Sequence, residues 1–234
     1  MGNGGSKKGP SVEMDSATAL EEQWMDPHKR KVLAAVEDTI KKCTSDHNTP
    51  EILRSIRVLC AVVYCANDFE LIQKSKDTFN ALVHLLQNPE ASYPLRLEIV
   101  SAVSVLCQGN QSNLLFNQVN CRSWCAVGGV TALLAQLREI PSDGVDEPKH
   151  RAALQMNVWV VYTLRTLMCG SPGAIQAVLL NRQFKRTAEM LVKMFELKDV
   201  WQRTAEQRNY ALDCCVLLGI GGVRKGPTLT VDRS

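Results

Sequence analysis

Tyr93–Asn110, YPLRLEIVSAVSVLCQGN, is the stretch on which the fold turns. Leu95, Leu97, Ile99, Val100, Val103, Val105 and Leu106 leave few positions for water. A helix this apolar is buried on most sides, so other helices must cover it. Pro94 suits a first helical turn, and Gly109 with Asn110 suits a C-cap. The same kind of segment recurs as RSIRVLCAVVYCAND at Arg54–Asp68, NVWVVYTLRTLMCG at Asn157–Gly170 and NYALDCCVLLGIGG at Asn209–Gly222. Four copies of one buried helix imply a stacked all-α array rather than a single closed core.

Composition sets the outer bounds. With 234 residues and 45% hydrophobic content the chain can bury a substantial core, and only 6% aromatic content leaves Leu, Ala and Val to pack helices closely. A net charge of +3 lacks the strong basic footprint of a nucleic-acid binder, so no nucleic-acid partner is expected. Cysteine numbers nine, an odd count, and Cys60, Cys65, Cys107, Cys169, Cys214 and Cys215 lie inside apolar runs, as small buried hydrophobes in a reducing compartment do. Cys121 and Cys125 have a C-x-x-x-C spacing, but no second pair or nearby His completes a zinc set, so no metal is expected. No apolar run reaches the roughly eighteen residues that a membrane span needs.

Residues 1–16, MGNGGSKKGPSVEMDS, carry four of the fourteen glycines and read as a flexible tail. Met1-Gly2 followed by Ser6 gives the M-G-x-x-x-[ST] pattern, and Lys7 and Lys8 come next. Removal of Met1 frees the Gly2 amine, small residues thread behind it, and Ser6 sits where a hydroxyl is favoured. These residues closely resemble known N-myristoylation signals, which implies a covalent myristate on Gly2 and no other cofactor. One such chain binds membranes marginally, and Lys7 and Lys8 add about 1 kcal/mol each against an anionic leaflet. His28-Lys29-Arg30-Lys31 adds more if it faces the same way. The expectation is a protein peripherally attached to a membrane from the cytoplasmic side, either the plasma membrane or an organelle.

Residues 17–219 read as the helical domain and 220–234 as a second flexible tail. A short helix over Ala17–Met25 precedes one over Pro27–Lys42, with Val32, Leu33, Val36 and Ile40 on one face. Thr49-Pro50 opens the first buried helix. Lys76–Gln87 is amphipathic, and Tyr93-Pro94 opens the second. A short helix then covers Ser112–Val119, with a break near Asn120. Gly128-Gly129 opens Val130–Ile140, and the acidic loop Pro141–Pro148 leads into the third buried helix. A short helix from Ser171-Pro172-Gly173 to Leu180 precedes the last pair, Phe184–Leu197 and Val200–Leu218. Gly219-Ile220-Gly221-Gly222 has no helix after it and reads as a C-cap rather than a phosphate loop.

The buried helices end at Asn67, Gly109, Gly170 and Gly221, giving steps of 42, 61 and 51 residues. The order of amphipathic helix, loop, buried helix and short helix resembles the armadillo-repeat family, most closely in LRLEIVSAVSVLCQGNQSNLLFNQ and AVGGVTALLAQL within Arg96–Leu137. The resemblance covers about residues 27–219 and implies a right-handed superhelix of about four degenerate repeats. In the peptide-binding armadillo proteins resembling importin alpha, the buried helix carries Trp and, four residues on, Asn. The Trp positions here are Leu59, Ser101, Tyr162 and Asp213, and the Asn positions are Val63, Val105, Thr166 and Leu217. Without that asparagine ladder, nuclear-import cargo binding is not expected.

A search for chemistry finds little. His28, His47 and His150 sit in polar or loop contexts and His84 on an amphipathic helix. There is no HExxH, G-x-S-x-G or Walker lysine, and no enzyme is expected. Arg54, Arg57, Arg96, Glu98, Arg165 and Asp213 are polar residues on apolar helices, which must lie on an exposed edge or pair inside. In an armadillo stack that edge lines the groove, so Arg57, Glu98, Arg165 and Asp213 are the candidate partner-groove residues. The reading is a non-enzymatic, lipid-anchored adaptor that recruits a protein partner to a cytoplasmic membrane surface. The alternative is a soluble scaffold or assembly subunit with no lipid anchor. So few repeats cap poorly, which makes self-association a further expectation.

Overall fold

The computed structural model describes residues 49–66, 76–108, 118–139, 148–196 and 205–220, and positions 31, 34, 35, 38 and 40. Among these residues all regular structure is helical and no strand occurs. In chain order the helices are α1 (Thr49–Ala66), α2 (Lys76–Gln87), α3 (Tyr93–Cys107), α4 (Gln118–Ala126), α5 (Gly129–Leu134), α6 (Pro148–Gly170), α7 (Pro172–Leu179), α8 (Phe184–Glu196) and α9 (Ala205–Leu217). The helix expected over Ala17–Met25 lies outside the described residues. So do the proposed tail over residues 1–16 and most of the one over 220–234. Within the helix expected over Pro27–Lys42, the described positions are helical, and Ile40 is fully buried in the core.

The four apolar segments became α1, α3, α6 and α9, and these pack side by side in chain order: α1 on α3, α3 on α6, α6 on α9. Helices α3 and α6 run in the same direction. Tyr93, the first residue of α3, donates its hydroxyl to the Ala152 carbonyl near the start of α6, while Thr163 Oγ1, further along α6, donates to the carbonyl of Val100, further along α3. A second set of helices covers this row. Helix α2 rests on α5, α4 and α5 rest on α7, and α8 pairs with α9. One apolar cluster runs through both sets, from Ile40 to Leu218. Ile99, Val100, Val103 and Leu106 of α3 are fully buried in it, each side chain contributing about 1.5–3 kcal/mol relative to exposure.

Local chemistry explains where the helices start and stop. Ser92 Oγ accepts the Leu95 N–H at 3.4 Å, and Pro94 occupies the first turn of α3. Helix α3 ends at Cys107 with extended Gln108 as its C-cap, not at Gly109-Asn110, which lie outside the described residues. Helix α9 closes as the sequence suggests: Gly219 has φ +66°, its N–H bonds the Val216 carbonyl, and the Ile220 N–H bonds the Cys215 carbonyl. That is the Schellman pattern, in which glycine takes the left-handed position.

Three boundaries differ from expectation. Helix α4 runs through Asn120, where a break was expected, because Asn120 turns inward and donates Nδ2 to the Leu106 carbonyl at 2.8 Å. Helix α5 is six residues, not a run to Ile140. Its last turn tightens through Gln136 N–H to Leu133 and Leu137 N–H to Leu134, and the buried Gln136 amide donates to the Leu86 carbonyl. Helix α6 starts at Pro148, nine residues before Asn157. Asn157 is a buried interior residue whose side chain bonds both the N–H and the C=O of Arg138, at 2.8 and 2.7 Å. His150, expected in a polar or loop setting, is buried in the first turn of α6.

Candidate functional site

Each of the four row helices keeps one outward edge, and the spacing of exposed residues traces it. On α6, Arg151, Gln155, Val158, Tyr162, Arg165 and Cys169 recur at alternating steps of four and three, all exposed or half-buried. Steps of that size hold one face of a helix. The matching edges are Arg54, Arg57, Val58 and Ala61 on α1, Glu98, Ser101 and Val105 on α3, and Tyr210, Asp213 and Val216 on α9. The neighbouring helices are tied to one another along these edges, so together they make one surface.

The ties come from the residues that the sequence singled out. Arg57 Nη2 of α1 meets Glu98 Oε2 of α3 at 2.9 Å. Arg165 Nε of α6 meets Asp213 Oδ2 of α9 at 2.6 Å. Between them, the Tyr93 hydroxyl of α3 reaches the Ala152 carbonyl at 2.9 Å and Gln155 Oε1 at 3.3 Å on α6. The hydrogen bond and charge of Glu98 raise the Arg57 pKa above its ordinary value. Burial works to lower that of Arg165, but the hydrogen bond and charge of Asp213 outweigh it and the net direction is up. Water screens exposed pairs of this kind, so they fix alignment more than they stabilise.

Arg96 does not belong to this surface. Its guanidinium donates to the carbonyls of Ala91, Asn88 and Pro89, each at 2.9 Å, and so clasps the turn between α2 and α3. Gly2, Lys7 and Lys8 lie outside the described residues.

Sequence reasoning missed the densest part of the surface. Trp159 and Tyr162 of α6 and Tyr210 of α9 are all half-buried and form a chain of rings. Trp159 and Tyr162 meet edge-on at 6.0 Å between centroids, and Tyr162 and Tyr210 meet at 4.9 Å. Arg165 lies 5.4 Å from the Tyr210 ring centre while holding Asp213. Within NVWVVYTL and NYALDCCVLL these aromatics read as core. Arg165 three residues after Tyr162, one helical turn on the same face, was the available sign that they reach the edge. At the opposite end, a cavity of about 570 Å3 is walled by Pro50, Leu53, Arg54, Arg57, Val58 and Ala61.

Among the described residues, no group of His, Cys, Asp and Glu is placed to hold a metal ion. Both ring nitrogens of buried His150 lack a hydrogen-bond partner among the described residues. Cys121 is buried and donates to the Cys107 carbonyl at 3.7 Å, and burial pushes the Cys107 thiol well above its ordinary value. A thiol held protonated in this way is a poor nucleophile. No described helix is long and apolar enough to cross a membrane. Comparison of the chain with family models, curated proteins and solved structures yields no match.

Proposed function

We propose that this chain is a non-enzymatic adaptor. In this reading it is an armadillo-like right-handed superhelix of about four degenerate repeats, held at a cytoplasmic membrane surface by myristate on Gly2, and its four-helix edge recruits a protein partner. The observation that carries the adaptor reading is the outward edge shared by α1, α3, α6 and α9. Apolar helices set side by side in chain order, two of them in the same direction, are what successive copies of one unit produce. An up-and-down bundle would alternate direction between neighbours. The edge concentrates Trp, Tyr and Arg, the residue types that dominate protein interfaces.

The lipid half rests on Met1-Gly2, Ser6, Lys7 and Lys8. Its test is to co-express the full chain and a Gly2→Ala variant with an N-myristoyltransferase, then to measure intact mass and sedimentation with anionic vesicles. The parent chain gains the mass of one myristoyl group and sediments with the vesicles, and the variant does neither. A parent chain of unchanged mass overturns the anchor and leaves a soluble scaffold or assembly subunit using the same edge.

A further inference from the structure

Helix α1 is apolar on two sides. Ile52, Ile56 and Leu59 face the core and are buried in it. On the opposite side Pro50, Leu53, Arg54, Arg57, Val58 and Ala61 recur at alternating steps of three and one, which holds one helix face, and they wall the cavity of about 570 Å3. Leu53 is half-buried, Val58 is 37% exposed, and Pro50 and Ala61 are exposed. At 1.5 Å per residue, the stripe from Pro50 to Ala61 is about 17 Å long. Spread over that length, the volume makes a groove about 7 Å across. A helix with its side chains is about 10 Å wide and does not fit inside it.

Chemistry narrows the occupant further. Among the described residues, the polar side chains of the wall are Arg54 and Arg57, which can only donate, and Arg57 is held by Glu98 at 2.9 Å. The main chain of α1 is bonded within its own helix. No acceptor in this wall meets the N–H groups of an extended peptide, so each N–H turned toward it would go bare. A single saturated chain has no polar group along its length. It is narrow enough for the groove, and an extended myristoyl chain is about as long as the stripe.

The sequence supplies such a chain on the same molecule. Residues 1–48 precede α1, the first helix of the row, and at about 3.3 Å per residue they are long enough to bring Gly2 to any point on it. A ligand tethered in this way meets its site at an effective concentration in the millimolar range. One myristoyl chain binds a membrane only marginally, so groove and membrane compete on comparable terms.

We infer that the groove on α1 is an acyl-chain site that docks the myristoyl group of Gly2, and that the lipid divides between this groove and the membrane. The inference rests on the reading of Gly2 as myristoylated, and it gives the lipid a second, withdrawn state that sets how much of the protein is membrane-bound.

The test uses the full chain co-expressed with an N-myristoyltransferase, with intact mass recorded first. In one arm the transferase is supplied with a myristate analogue bearing a terminal diazirine. Irradiation of the soluble protein crosslinks the chain end to the peptide that spans Leu53–Ala61. In the second arm the myristoylated parent is compared with Val58→Gln/Ala61→Gln on anionic vesicles. Both changes are at exposed positions, fill the groove, keep the net charge and suit a helix. With the groove filled, the lipid is released and vesicle partitioning rises about threefold or more. Myristoylation also raises the melting temperature of the parent, as a ligand of the folded state does, and this gain is absent in the variant. Crosslinks confined to other helices, or equal partitioning of parent and variant, overturn the inference and leave the anchor standing. No mass gain on the parent overturns both. The crosslinking arm needs no substitution, so it decides the matter even if the variant is unstable.

Discussion

Two thiols illustrate what burial does to single residues in this fold. Burial, with the Glu98 charge acting in the same direction, pushes Cys60 from the ordinary 9.0 up to about 12. Burial and then Cys121 push Cys125 up to about 11. The folded chain therefore keeps protons on these thiols that the unfolded chain releases once pH passes about 9. Where the folded state binds more protons, raising the pH favours unfolding. The stability tied to these thiols is thus fully present below about pH 9 and is lost as pH climbs through 11 and 12. Urea midpoints measured under reducing conditions from pH 8 to pH 11 fall with pH, and they fall less steeply in Cys60→Ala/Cys125→Ala. Equal slopes for the two proteins would show that the thiols are not the source.

At the scale of an element, the α4–α5 corner depends on one missing side chain. Trp124 is fully buried and meets Phe79 of α2 edge-on at 5.8 Å. Gly129 opens α5 directly beneath the indole, and a Cβ there would overlap Cε2, Cδ2 and Nε1 of Trp124. Neither a buried indole nor a helix start can shift freely, so Gly129→Ala destabilises by about 1–3 kcal/mol, read by urea denaturation. Gly128→Ala meets no atom, and its cost comes only from the φ of +79°. Near-native stability in Gly129→Ala would mean that the corner is looser than its packing. This corner also marks the limit of what the sequence discloses. Helices α1, α2, α3 and α7 to α9 follow from apolar periodicity, and all of them but α8 also from Pro or Gly at an end, because there the pattern and the packing agree. Helix α4 does not, since its buried residues are Asn120, Cys121 and Trp124. A polar amide and a thiol carry no apolar period, and the amide is buried only because the Leu106 carbonyl comes within reach. The two ion pairs of the outward edge were half legible. Their residues stood out as charges on apolar helices, while the partner of each was set by which helices became neighbours. The ring cluster stayed hidden because Trp159, Tyr162 and Tyr210 come from segments about fifty residues apart, and each alone resembles core.

At the scale of the molecule, stability should be graded along the row. Helices α3 and α6 each have a row neighbour on both sides, while α1 and α9 have one among the described residues. In a stack where each unit leans on its neighbours, end units open first. Hydrogen exchange therefore shows the slowest amides in α3 and α6 and faster ones in α1 and α9. Uniform protection across all four would indicate one closed core instead. The same arrangement has a mechanical consequence. The extensive packing of α1 onto the row is with α3, and that of α9 is with α6, so the distance between Arg57 and Asp213 is set by three junctions in series. Small rotations at those joints add together, and the outward edge can lengthen or curl like a leaf spring while every junction stays packed.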